Sequence, residues 1–283
     1  MSVYKGWSAQ ELQQQYFLRG LRPDYETEMI PGWLERSRLF RESAGGWLDL
    51  EYGPRERNRL DIFPATQGNA GFVLYIHGGY WQRGDKSVYS ILAEPLVRRG
   101  FTVAMMNYQM CPDVKMNEIP PQARLAVAWL WRNAQSYGIA RDNFNIMGHS
   151  AGGHLTAEML CTDWSLEAPD LPERFIHAGV VLSGILDFEP ILHCCENEGL
   201  RMDADEARAV STIHRVPYGD TPQFVGYGAN EPPDMQRQSE DYAARSKSAE
   251  CYAVPGADHF DVVDVLADED SPLFARIVDF IKF

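Results

Sequence analysis

The sequence predicts an α/β fold: a mainly parallel β-sheet with helices on both faces and a small helical cover. Three observations predict it. Short apolar runs of strand length recur along the chain, and amphipathic stretches of helix length separate several of them. One longer interval, residues 185–221, breaks the rhythm after a strand and has room for more than one short helix. Strands that alternate with crossover helices are buried on both faces, which a parallel sheet achieves by layering helices on either side.

At 283 residues the chain can bury a large core as a single domain spanning 1–283, without disulfide or metal support. The first 45 residues, with "SAQELQQQYFLRG" and "GWLERSRLFRES" interrupted at Pro23 and Pro31, predict short helices lying across the larger domain near its pocket. "WLDLEYG" and "NRLDIFPA" alternate apolar and polar residues around "PRER", the pattern of a strand pair with a charged turn. The parallel core follows, with strands expected at 72–77, 101–109, 144–150, 178–184, 223–228 and 250–256. Between them, "QARLAVAWLWRNAQSYG" sets Leu125, Ala128, Trp129 and Arg132 on one helical face. The interval 185–221 is placed to cover a pocket beyond a strand's carboxyl end, and Asp203–Glu206 reads as a solvated helix start. At the end, Leu273, Phe274, Ile277, Phe280 and Ile281 form the core-facing stripe of a last helix.

The chemistry begins with "NIMGHSAGG". Gly148-His149-Ser150-Ala151-Gly152 fits G-x-S-x-G, in which a strained strand-to-helix turn exposes a serine nucleophile and small neighbours permit the tight backbone. Upstream, His77-Gly78-Gly79 ends a strong strand candidate. Acyl transfer puts negative charge on the carbonyl oxygen, so donors must be fixed beforehand; the amides of Gly78, Gly79 and Ala151 can supply them. A serine hydroxyl also needs a base, and His259 in "VPGADHFDV" follows the last strand candidate. The loop after "QFVGYG" offers two carboxylates to orient the imidazole, Glu231 and Asp234, both between serine and histidine in chain order. Glu231 is preferred and Asp234 stays open, while Asp258 and Asp261 read as loop-shaping groups.

With "HGGYW" at 77–81, "GHSAGGHL" at 148–155, "GANEPPDMQRQSEDY" at 228–242 and "GADHF" at 256–260, the sequence resembles the kynurenine formamidase (arylformamidase) family of α/β-hydrolases, close to hormone-sensitive-lipase-like esterases. The resemblance covers nearly the whole chain. It implies Ser150 as nucleophile, His259 as base, the amides of Gly78, Gly79 and Ala151 as oxyanion hole, and an acid at Glu231, where other members carry aspartate. Tyr80 and Trp81 become candidate substrate-binding walls, with core packing as the competing reading. The implied reaction is hydrolysis of a small acyl amide such as an N-formyl arylamine, N-formylkynurenine above all, through an acyl-enzyme; short-chain esters are the second choice.

A net charge of −14 disfavours nucleic acid and anionic membranes as partners. Five cysteines without metal-ligand spacing read as reduced thiols, and no metal or other cofactor is expected. The beginning of the chain lacks the basic-then-apolar pattern of a secretory signal, so the expected location is the cytoplasm, with homo-oligomerisation left open.

Overall fold

Eight strands form one sheet in the computed structural model, which describes residues 2–215, 217 and 220–282. They are β1 Trp47–Glu51, β2 Arg59–Phe63, β3 Gly71–Ile76, β4 Phe101–Met106, β5 Phe144–His149, β6 Ile176–Leu182, β7 Gln223–Gly228 and β8 Ala249–Val254. Their order is β1-β2-β4-β3-β5-β6-β7-β8. β2 runs antiparallel to both β1 and β4, and the remaining pairs are parallel.

Helices of seven residues or more are α1 Ala9–Tyr16, α2 Ile30–Ser43, α3 Ile119–Arg132, α4 Ala151–Leu160, α5 Ala204–Val210, α6 Pro233–Ala243, α7 Asp261–Ala267 and α8 Pro272–Lys282. Because helices cover both faces, every residue of β3, β4, β5 and β7 is buried, which is why these strands read as continuous apolar runs. The edge strand β1 is mostly exposed and alternates polar with apolar residues instead.

β7 spans its expected 223–228, whereas β3, β4, β5, β6 and β8 end before the expected carboxyl ends. β4 stops at Met106, and the next residue, Asn107, uses its side-chain oxygen to accept from the Lys86 amide at 2.7 Å. α3 forms where its composition demands, and its buried face only partly coincides with the expected one. Ala128 is buried and Trp129 packs partly against the core as expected, but the rest of the buried face includes Ile119, Ala123, Ala126, Val127 and Leu130, and Leu125 is 37 % exposed. In α8 the expected stripe is the packed one, with Leu273, Phe274, Ile277 and Ile281 buried and Phe280 against Phe224.

The chain order places the site. β3 lies between β4 and β5, so successive connections leave β3 in opposite directions and a crevice opens at the strands' carboxyl ends. Ile76 is in register with both Met106 and Gly148, which brings the segment after β3 beside the turn after β5.

The N-terminal segment is tied over this end by buried polar bonds. Tyr4 donates to Asp187 at 2.6 Å, and Tyr16 donates to Asp234. Gln238 donates to the Tyr16 hydroxyl at 2.6 Å, and its side-chain oxygen accepts from the amides of Leu186 and Asp187 at 2.6 and 2.8 Å. Pro31 falls in the first turn of α2, where its missing N–H costs nothing.

Candidate active site

Ser150 joins β5 to α4 with φ 57° and ψ −119°, a conformation a non-glycine residue adopts only when its surroundings enforce it. Here they do. Its amide donates to Leu182 at 2.8 Å, and its carbonyl accepts the first amide bond of the helix, from His154 at 3.1 Å. A side chain at Gly152 would lie 1.8 Å from the Ile76 carbonyl oxygen, and one at Gly148 would lie 2.2 Å from the carbonyl oxygen of Gly152. Both glycines are therefore required by close backbone approach.

The loop after β3 is strained in the same way. Gly79 has φ 121° and no room for a side chain against the Arg83 carbonyl, while Tyr80 and Trp81 both have φ 54°. Its anchors are numerous. His77 stacks on Tyr108 with ring centroids 4.7 Å apart and bonds the Gly78 carbonyl at 2.7 Å. Burial drives the His77 pKa down to about 4, so the ring is neutral and donates from Nδ1. Tyr108 donates to the His77 carbonyl at 3.0 Å, and Tyr80 donates to the Tyr16 carbonyl at 2.6 Å. The amides of Gly78, Gly79 and Ala151 donate to no other group among the described residues.

His259 sits in the turn between β8 and α7. Asp258 accepts from the amides of Phe260 and Asp261 at 2.8 and 3.0 Å, and Arg22 bridges Asp258 and Asp261 at 2.5 and 2.8 Å. His149, the serine's neighbour, donates from Nε2 to the His259 carbonyl at 2.8 Å. Burial, with the adjacent His259 as a second cause, holds the His149 imidazole well below the ordinary histidine range, so it stays neutral.

Glu231, in the turn after β7, is fully buried. One carboxylate oxygen accepts from the Gly228 amide at 2.9 Å and from the Ser183 hydroxyl. The other lies 3.7 Å from His259 Nδ1, and neither of these two atoms has another partner among the described residues. That separation exceeds a hydrogen bond but lies within ion-pair range once the ring is protonated.

Asp234 is elsewhere. It lies in the first turn of α6 and accepts from Tyr16 and from Arg237 at 2.6 Å, holding the N-terminal segment. The helix start itself falls on Pro232, so Asp234 does not cap it.

Ser150, His259, Gly78, Gly79, Tyr80 and His149 line one cavity with about 400 Å³ of empty space including its mouth. Leu18, Tyr25, Trp33, Tyr89, Phe260 and Val263 make its walls apolar and aromatic, and Arg19 and Arg83 add positive charge. Trp81 is not part of the lining. It is fully buried behind the loop, against His154 and Phe188 at 5.3 and 4.8 Å, and meets the Tyr80 ring edge-on at 6.0 Å.

Residues 185–221 likewise contribute nothing to the lining among the described residues; Val216, Tyr218 and Gly219 lie outside them. The segment backs the loop instead, with Phe188 on Trp81 and the Glu196 carbonyl accepting from Gln82 at 3.0 Å. Asp203 caps α5 by accepting from the Glu206 amide at 2.8 Å. Sequence reasoning missed Leu18, Tyr25 and Trp33 as lining residues and Ser183 as the support of Glu231. The aromatic density of the first 45 residues is the signal that could have found the first three.

The BD-FAE family matches residues 60–244. Over 289 residues the chain is 31 % identical to the kynurenine formamidase of Salmo salar, covering 95 % of each, and 26 % identical to that of Drosophila melanogaster, covering 84 % and 82 %. An isoprenylcysteine alpha-carbonyl methylesterase of Arabidopsis thaliana is 28 % identical over 135 residues, 47 % of this chain and 32 % of that one.

Among solved structures, a protein from Silicibacter sp. tm1040 has a TM-score of 0.84 at 32 % identity, covering 96 % of this chain and 99 % of that one. An esterase of Pyrobaculum calidifontis shares the fold, with a TM-score of 0.69 at 19 % identity, covering 97 % and 96 %. Matched over most of its length by both a family and full-length relatives, the chain belongs to the BD-FAE family and is a serine hydrolase of the α/β-hydrolase fold acting on an amide or ester bond.

Proposed function

We propose that Ser150, His259 and Glu231 are the catalytic triad, that the amides of Gly78, Gly79 and Ala151 are the oxyanion hole, and that the substrate is a small acyl amide of the N-formyl arylamine class. The observation that carries this reading is the facing pair of buried, otherwise unpartnered atoms, Glu231 Oε2 and His259 Nδ1, on the cavity that Ser150 lines.

Ser150 Oγ attacks the formyl carbon while His259 Nε2 takes its proton, and the three amides hold the oxyanion. Collapse breaks the C–N bond, and the proton on His259 passes to the departing aniline nitrogen. Water then gives a proton to His259 and attacks the formyl-enzyme. Breakdown returns that proton to Ser150 and releases formate. Glu231 stays ionised throughout, orienting the imidazole and stabilising its cationic form.

The formyl group needs little room and the aromatic walls suit an aryl leaving group. The kynurenine formamidases among its relatives support N-formylkynurenine as the compound to try first. Short-chain esters are the second reading, favoured by the methylesterase relatives. Comparing kcat/KM for N-formylkynurenine with that for a set of short esters decides between them, and an ester preference of tenfold or more, after correction for leaving-group reactivity, would reverse the order.

Ser150→Ala should lower turnover by at least about 10³-fold while melting unchanged. Near-native turnover in that variant would remove Ser150 from its role. The reading extends to a reducing, cytoplasmic setting, which the five unpaired cysteines support. None of the helices among the described residues is long and apolar enough to cross a membrane.

A further inference from the structure

Two arginines line the cavity, Arg19 and Arg83, and only one of them has an acidic partner among the described residues. Arg19 pairs with Glu26 at 2.7 Å. Arg83 has neither a hydrogen-bond acceptor nor a carboxylate within ion-pair distance among the described residues. A shortage of acids does not explain this, because the chain has 40 acidic residues against 26 basic ones.

The Arg83 side chain is partly buried, and its backbone is fixed to the oxyanion loop: its amide donates to the Gly79 carbonyl at 3.0 Å. The charged and titratable groups around it are Arg19, Tyr25, Glu26 and Glu196. Loss of solvent, followed by repulsion from Arg19, disfavours its charged form. A partly desolvated cation without a partner, on the same rigid turn as the oxyanion donors, is a waiting site for an anion.

We infer that Arg83 binds a carboxylate carried by the substrate. The inference rests on the proposed formamidase reading in one respect: a formyl group has no place for a second charge, so the carboxylate belongs to the leaving arylamine. Guanidinium and carboxylate match as a two-pronged hydrogen-bonded pair, and the aromatic walls hold the ring between the scissile carbonyl and that pair.

The test uses N-formyl arylamines that carry either a side-chain carboxylate or the primary amide of the same shape. The wild-type protein should favour the carboxylate by about tenfold or more in kcat/KM, the range expected for hydrogen bonds to a charged group. In Arg83→Gln, with folding checked by its melting midpoint, the ratio should fall toward one. An unchanged ratio in the folded variant, or no preference in the wild type, overturns the inference.

Running the same pair as aryl esters separates it from the formamidase reading. Carboxylate preference on esters without formamide turnover defeats the amidase reading and leaves Arg83 in its role; formamide turnover without the preference does the reverse. If Arg83→Gln does not fold, inhibition of the wild type decides: an aryl carboxylate should inhibit at least about tenfold more tightly than its amide, and equal inhibition overturns the inference.

Discussion

Ser150 and Glu231 owe their reading to different kinds of information. The serine was legible because its backbone conformation forces glycines into the sequence at 148 and 152, a constraint written within five residues. Glu231 and Asp234 are only three residues apart and both buried, and chain order alone leaves both open. What separates them is tertiary: one faces His259 and the other faces Tyr16 and Arg237. Glu231→Gln should therefore cut kcat by about 10³- to 10⁴-fold with little change in melting, since the amide cannot stabilise the imidazolium. Asp234→Asn should act in the opposite sense. It weakens bonds to a buried charge worth about 1.5–3 kcal/mol, and melting should fall by about 2–4 °C per kcal/mol. Purified variants compared for turnover and melting check both, and a large catalytic loss confined to Asp234→Asn would exchange their roles.

Among the elements, the strands were readable because burial on both faces makes each one an uninterrupted apolar run. Their ends were not, because the chain leaves the sheet through side-chain bonds such as Asn107 to Lys86 that leave no pattern in hydropathy. The β5–α4 turn depends on backbone contact, so Gly152→Ala should destabilise by several kcal/mol, beyond the ~1–3 kcal/mol usual for overpacking, because its methyl meets a carbonyl rather than a movable side chain. Urea unfolding measures this, and a loss under 1 kcal/mol would show that the turn can relax. The clamp on the His259 turn is built differently. Arg22 reaches Asp258 across 236 residues of sequence, which is why no local motif announced it. The pair is partly exposed, so Arg22→Ala should cost no more than about 1 kcal/mol in stability. It should nonetheless lower kcat by releasing the turn that carries His259. Unaltered kcat together with unaltered hydrogen exchange at 258–261 would show that the clamp is dispensable.

For the whole molecule, the cavity is finished by a segment far from the catalytic motifs in sequence. Leu18, Tyr25 and Trp33 come from the first 45 residues, and the bonds of Tyr4 and Tyr16 to Asp187 and Asp234 hold that segment down. Aromatic content hinted at packing there, but the partners lie in distant loops that one sequence cannot pair. Global stability should also respond to acid through the buried histidines. His77 has its pKa lowered from 6.5 to about 4 by burial, so the unfolded chain takes up a proton that the folded chain refuses. This contribution is complete above the unfolded value, declines as pH falls toward about 4, and adds a slope of up to about 1.4 kcal/mol per pH unit within that window. His149, also depressed by burial, acts in the same direction. Urea unfolding at pH 7, 6 and 5 should show falling stability; a flat or rising profile would contradict neutral buried rings. The triad and the formamidase reading meet in a single measurement: titration with a fluorophosphonate, with intact mass, peptide mapping and N-formylkynurenine turnover followed in the same sample. One adduct should form per chain, map to Ser150, and abolish turnover in proportion to labelling, whereas turnover that survives complete labelling, or an adduct at another residue, would contradict the assignment.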